Sequence, residues 1–210
     1  MSTPYCVFLD AGHGGLDERG RYVTAPGKQF RHEQGTFHGG GWFYEGVWNR
    51  TLVNRVSAKL TRLHIDHLLL SHEYLDLELA YRVDKANWYH RNYKPGVVVS
   101  THANASVSHN ARGYEIYTSP GRTGADRLAE IHWNLVRSLF GRRITMRTDG
   151  SDGDHDKEAN FYILRRTVMP AVLIEHLFFD NYADASLLMD DEVIDLFAEA
   201  QVRAIIEYFR

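Results

Sequence analysis

Cysteine is nearly absent from these 210 residues. The one thiol, Cys6, lies in the apolar run Tyr5-Cys6-Val7-Phe8-Leu9, so no intramolecular disulfide is possible and a small buried thiol is expected. Proline is scarce at five residues, and no Pro/Gly/Ser-rich linker, internal repeat or low-complexity tract divides the chain. No segment approaches the ~18 uncharged residues of a membrane span. The first residues lack a basic region followed by a long apolar stretch, so no signal peptide is expected. Neither sign of charge dominates: 24 Lys+Arg against 27 Asp+Glu leave −3. That balance removes any overall electrostatic reason to expect nucleic acid or an anionic membrane as a partner.

What remains is an ordinary globular composition, 44% hydrophobic and 24% charged, of a size that one core can organise. A single domain over residues 1–210 is expected, with a monomer as the working assumption. Short apolar runs rich in β-branched residues read as strands at 5–10, 65–71, 97–101, 113–118 and 171–175, several of them continuous enough to be buried on both faces. Helical periodicity places Trp48, Leu52, Val56, Leu60 and Leu63 on one stripe. Leu128, Ile131, Leu135 and Leu139 form a second, and Ile194, Phe197, Ala198, Val202, Ile205 and Phe209 a third. The alternation predicts an α/β domain whose mostly parallel twisted sheet is flanked by helices. Residues 16–44 and about 142–158 read as irregular. The first is glycine-rich but carries Phe30, Phe37, Trp42, Phe43 and Tyr44, which argues against disorder and for an ordered flap.

Twelve histidines are numerous enough to search for metal ligands. Three polar residues stand where apolar strands end: His13 in Asp10-Ala11-Gly12-His13-Gly14-Gly15, His102 in Ser100-Thr101-His102-Ala103-Asn104-Ala105, and Glu175 after Met169-Pro170-Ala171-Val172-Leu173-Ile174. In an open α/β sheet, the crevice at the carboxyl ends of the strands is the usual ligand site, so residues distant in sequence converge there. Glu45, at the expected start of a helix, can face the same crevice and is favoured by the helix dipole. Two imidazoles and a carboxylate make a catalytic zinc set with a fourth position left for water. Singly, each has a bland reading as a turn residue, a strand end or a helix N-terminal charge; jointly, those readings require unrelated coincidences.

Four motifs in order carry a resemblance over essentially the whole chain. They are Leu9-Asp10-Ala11-Gly12-His13-Gly14-Gly15, Glu45 with Asn49, Ser100-Thr101-His102-Ala103-Asn104-Ala105, and Asn160-Phe161-Tyr162-Ile163-Leu164-Arg165 leading to Met169–Glu175 and Asn181. In these the sequence resembles the zinc-dependent N-acetylmuramoyl-L-alanine amidases often called amidase 3. The resemblance implies one Zn2+ held by His13, Glu45 and His102. It makes Glu175 a catalytic carboxylate outside the ligand set, and peptidoglycan the substrate, cut between N-acetylmuramic acid and L-alanine. Candidate substrate contacts are Asn104, Trp42 and Tyr44, the last two because residues 16–44 start after one expected ligand and end before another.

The sequence departs from the family at Leu177, where a glycine is common, and in the length of residues 16–44. His32 and His38 inside that segment are weaker ligand candidates, because a glycine-rich loop preorganises a metal poorly. His155 reads as part of a solvated acidic loop. Asp10 is a candidate to orient His13. A lysin that acts on the cell wall after release from a host cytoplasm fits the lack of a leader and of a wall-binding module. The alternatives are a zinc peptidase of related fold and a wall-binding module with a dead site.

Overall fold

A computed structural model describes residues 3–151 and 153–210. The chain runs β1 (Cys6–Ala11), β2 (Gln29–Arg31), β3 (Trp42–Tyr44), α1 (Glu45–Arg62), β4 (His67–Leu69), α2 (Leu79–Asn92) and β5 (Gly96–Asn104). It continues through β6 (Glu115–Thr118), α3 (Gly124–Phe140), β7 (Lys157–Glu158), α4 (Tyr162–Arg166), β8 (Ala171–Phe178), α5 (Tyr182–Leu188) and α6 (Asp191–Tyr208). Six strands make one sheet in the order β4-β1-β5-β8-β6-β7, and β2 pairs with β3 in a separate hairpin. All pairings in the large sheet are parallel except β6 with β8. This is the single-domain, mostly parallel α/β architecture expected from the alternation of apolar runs and helical stripes.

Strand alternation sorts the core. On β1, Val7, Leu9 and Ala11 join the larger cluster beneath α1, α3 and α6, while Cys6 and Phe8 join a smaller one with Val83 and Ala86 of α2 and Ile163 and Leu164 of α4. Cys6 is the buried thiol anticipated from its surroundings. On the second face the residues turn polar towards the carboxyl ends of the strands: Phe8 is followed two places on by Asp10, Val98 by Ser100 and His102, and Leu173 by Glu175. There the first turns of α2 and α4, through Leu79, Arg82, Tyr162 and Ile163, wall an open crevice that these polar ends border.

Two features were not legible as elements in the sequence, α2 and the β2–β3 hairpin inside residues 16–44, although order in that segment was expected. No helical stripe marks α2, because only Arg82, Val83, Ala86 and Asn87 are buried on it. Residues 16–44 are ordered through packing of their own: Phe43 is 0% exposed and stacks on Phe179 at 5.7 Å, and Phe30 and Phe37 lie against the main core. The segment also caps α1, which has no side-chain N-cap of the ordinary kind. The Tyr22 hydroxyl accepts from Gly46 N at 2.8 Å and donates to Lys28 O, which also accepts from Glu45 N.

Candidate metal and active site

Each side chain of the central cluster is delivered by the end of an element. His13 follows β1 in the left-handed conformation, with φ 63°, so the chain turns sharply and its imidazole faces back over the strand ends. Glu45 is the first residue of α1 and His102 lies near the end of β5. The Glu45 carboxylate is 2% exposed and its Oε1 lies 3.3 Å from His13 Nε2 and 3.1 Å from His102 Nδ1. The two imidazole rings meet edge to face with centroids 5.0 Å apart. Burial opposes ionisation of Glu45, but hydrogen bonds from His102 and His13 outweigh it and hold the group well below the usual carboxylate range.

Ligand atoms of His13, Glu45 and His102 all lie within 4.8 Å of one another, close enough to hold one metal ion. The surroundings fit such a use. A Cβ on Gly12 would stand 2.0 Å from His102 Cε1, so only glycine lets the ring occupy this place. Behind the ring, His176 Nδ1 donates to His102 O at 3.0 Å, and its Nε2 accepts from Gln201. Burial pushes His176 down to about 3, which keeps it the neutral ring that this pattern requires. Asn49 Nδ2 donates to Gly12 O and ties the turn before His13 to α1.

Glu175 lies on β8 in register with His102. Its Oε2 is buried without a hydrogen-bond partner among the described residues. Burial raises its pKa well above the carboxylate range; Glu45 and Glu115 add to the effect and Lys28 opposes it. His13, His102 and Glu175 border a crevice of about 450 Å³ that is lined also by Lys28, Leu77, Leu79, Arg82, Phe161 and Tyr162.

The structure thus brings His13, Glu45, His102 and Glu175 together. It does not bring Trp42 or Tyr44 to the crevice: both are half-buried, their rings stacking on each other and Tyr44 also on His38. Their segment contributes Lys28 instead, whose Nζ is 3.9 Å from Glu45 Oε2. Asn104 donates to Glu115 Oε2 and accepts from Ala105 N.

Asp10 does not orient His13. It is wholly buried, paired with Arg82 Nη1 at 3.0 Å, and accepts from Ser100 Oγ at 2.7 Å, because its strand position directs it towards α2. His32 and His38 are occupied in the flap, His32 against Phe179 O and His38 as acceptor from Tyr44 N. His155 pairs with Glu130 and stacks on Trp133 at 3.7 Å. Sequence reasoning missed Lys28, Arg82 and the His176–Gln201 brace.

The family model for N-acetylmuramoyl-L-alanine amidase, Amidase_3, matches residues 7–207. The chain belongs to this family. Among solved structures, it superimposes on the amidase AmiC2 of Nostoc punctiforme with a TM-score of 0.74 and 25% identity, covering 100% of this chain and 99% of that one. Among curated relatives, the endolysin of Bacillus phage SPP1 is 28% identical over 206 residues, 96% of this chain and 65% of the endolysin. The amidase LytC of Bacillus subtilis is 28% identical over 207 residues, 97% of this chain and 35% of LytC. The chain therefore spans less than two thirds of either relative's length. The matched range contains all three residues of the candidate metal cluster. No helix among the described residues is long and apolar enough to cross a membrane.

Proposed function

We propose that this chain hydrolyses the amide between the lactyl group of N-acetylmuramic acid and the L-alanine of peptidoglycan stem peptides, using one zinc ion. His13, Glu45 and His102 would hold the metal, and Glu175 would act as general base and then general acid. The observation that carries the reading is the meeting of this two-imidazole, one-carboxylate set with Glu175 on the neighbouring strand, whose Oε2 is buried without a partner among the described residues. The donor set is that of catalytic zinc sites with an open fourth position. When bound, zinc polarises the scissile carbonyl and lowers the pKa of water towards ~7.

The remaining chemistry belongs to the chain. Glu175 accepts a proton from the attacking water while the new C–O bond forms at the amide carbon. It then returns that proton to the nitrogen of L-alanine as the C–N bond breaks, giving a carboxylic acid and a free amine. Burial suits it to hold the proton between the two steps. Lys28, beside Glu45 Oε2, offsets the negative charge of two nearby carboxylates. Leu77, Leu79 and Phe161 give the crevice apolar walls against which substrate displaces water. Relatives that include an endolysin and a bacterial amidase support the cell wall as the setting.

Digestion of purified cell wall tests the reaction. New amino groups on L-alanine without new reducing sugar ends are expected. Release of amino groups only from other residues would identify a peptidase, and release of none, with metal bound, would identify a wall-binding protein.

A further inference from the structure

A second charged assembly stands two strands beyond the metal cluster, on the far side of Glu175. Glu115 on β6 is directly opposite Glu175 on β8, so the two side chains leave the same face with Cβ atoms roughly 4.5–5.5 Å apart. His102 is opposite Glu175 on its other side, which makes His102, Glu175 and Glu115 a row across three strands. Glu115 is 2% exposed, yet both of its oxygens are doubly engaged. Oε1 accepts from Arg147 Nε and from Lys157 Nζ, the latter at 3.0 Å. Oε2 accepts from the Tyr117 hydroxyl at 2.5 Å and from Asn104 Nδ2 at 3.3 Å.

One buried anion therefore anchors two cations, and the assembly carries one net positive charge. Arg147 spends only Nε on Glu115, and its guanidinium is steadied over the Phe178 ring at 5.2 Å. Among the described residues its terminal amino groups have no hydrogen-bond partner. The side chains of Arg147 and Lys157 are 38% and 23% exposed, so solvent, and hence a ligand, reaches both. On the far side of His102 the balance reverses: Arg82 stands between Asp10 and Asp76, and with Glu78 the carboxylates outnumber it along that crevice wall. The row of reacting groups thus lies between an acidic wall at α2 and a basic one at β6 and β7.

We propose that Arg147 and Lys157, held in place by Glu115, form a carboxylate-binding subsite for the stem-peptide residue that follows L-alanine. The inference rests on the amidase reading above. Strands are spaced by ~4.8 Å, which puts the cations about one to two spacings from Glu175. An extended peptide advances ~3.3–3.6 Å per residue, so a carboxylate one residue past the scissile amide falls within that span. A guanidinium and an ammonium that converge on one point, with spare donors, match a carboxylate better than they match a neutral amide.

The test uses two muramyl tripeptides that differ in one group: N-acetylmuramoyl-L-alanyl-γ-D-glutamyl-L-lysine and its counterpart with the glutamate α-carboxyl amidated. The wild-type protein is expected to favour the free carboxylate by about tenfold or more in KM, with a smaller change in kcat. Arg147→Gln and Lys157→Gln should each shrink that preference, and Arg147→Lys should restore part of it. Titration of the same pair into the Glu175→Gln variant reads the preference as a ratio of Kd even if no amide is cleaved. Absent hydrolysis with that ratio preserved would count against the reaction and in favour of the subsite. Equal treatment of the two peptides by the wild-type protein overturns the subsite. So does an equal loss on both in the variants, since a cluster that only fastened β7 to the sheet would lower Tm without discriminating between substrates.

Discussion

Replacing Gly12 with alanine probes the proposed metal site without touching a proposed ligand. The added Cβ would lie 2.0 Å from His102 Cε1, 2.4 Å from Nδ1 and 2.5 Å from Nε2. Ordinary van der Waals contact begins near 3.4 Å, so the imidazole must retreat by 3.4 − 2.0, or about 1.4 Å. The strand cannot easily yield in its place, because Gly12 N donates to Thr101 O at 3.0 Å and Asn49 holds Gly12 O from the other side. Gly12 is outside the left-handed region, so the effect is steric and not one of backbone strain. Metal–ligand distances tolerate only ~0.2 Å, so a displacement several times larger removes His102 from the set. Metal affinity should fall by at least the roughly 10–100-fold typical of lesions beside a ligand, and overpacking should cost about 1–3 kcal/mol of stability. Competitive chelator titration measures the first effect and thermal melts of metal-free protein the second. Gly150→Ala, with open space around its Cβ, serves as the control. A Gly12→Ala protein that binds zinc as tightly as the wild type would refute the packing argument and weaken the assignment of His102 as a ligand.

Glu175→Gln should retain full zinc content while turnover on purified peptidoglycan drops by ~10²–10⁴-fold; near-normal turnover contradicts its role in proton transfer. Arg82→Met leaves the wholly buried Asp10 without its cation and should cost about 3–5 kcal/mol in denaturant unfolding, with part regained in the Asp10→Asn/Arg82→Met double variant. Burial, with added repulsion from Asp154, pushes Asp156 up to about 7, Thr118 opposing. A raised carboxyl binds more protons folded than unfolded between pH ~4 and 7, so stability should decline as pH rises through that window, by at most ~1.4 kcal/mol per pH unit. Asp156→Asn should flatten that decline in melts recorded from pH 4 to 8, and an unchanged slope would remove Asp156 as its source.

Local pattern determined a good deal here. The apolar runs that end in His13, His102 and Glu175, and the turn glycines beside the first, are short-range signals, and they located both the strands and the cluster at their ends. Strand ends extended further than the runs: β5 continues to Asn104 and β8 to Phe178, because the pleat persists after side chains turn polar. The stripe on α6 was legible since a broad face of that helix is buried, whereas α2 buries four residues and left no comparable period. Residues 16–44 showed by their aromatics that they would be ordered. That these rings pack inward, leaving Lys28 at the crevice, depended on where Phe179 and His109 came to lie. The partner of Asp10, the brace behind His102 and the placement of Glu115 opposite Glu175 were set by tertiary structure alone. Each joins residues at least 25 positions apart in the chain, as in Gln201 with His176. Periodicity tells which face a side chain occupies; only strand order and register tell what it faces across the sheet.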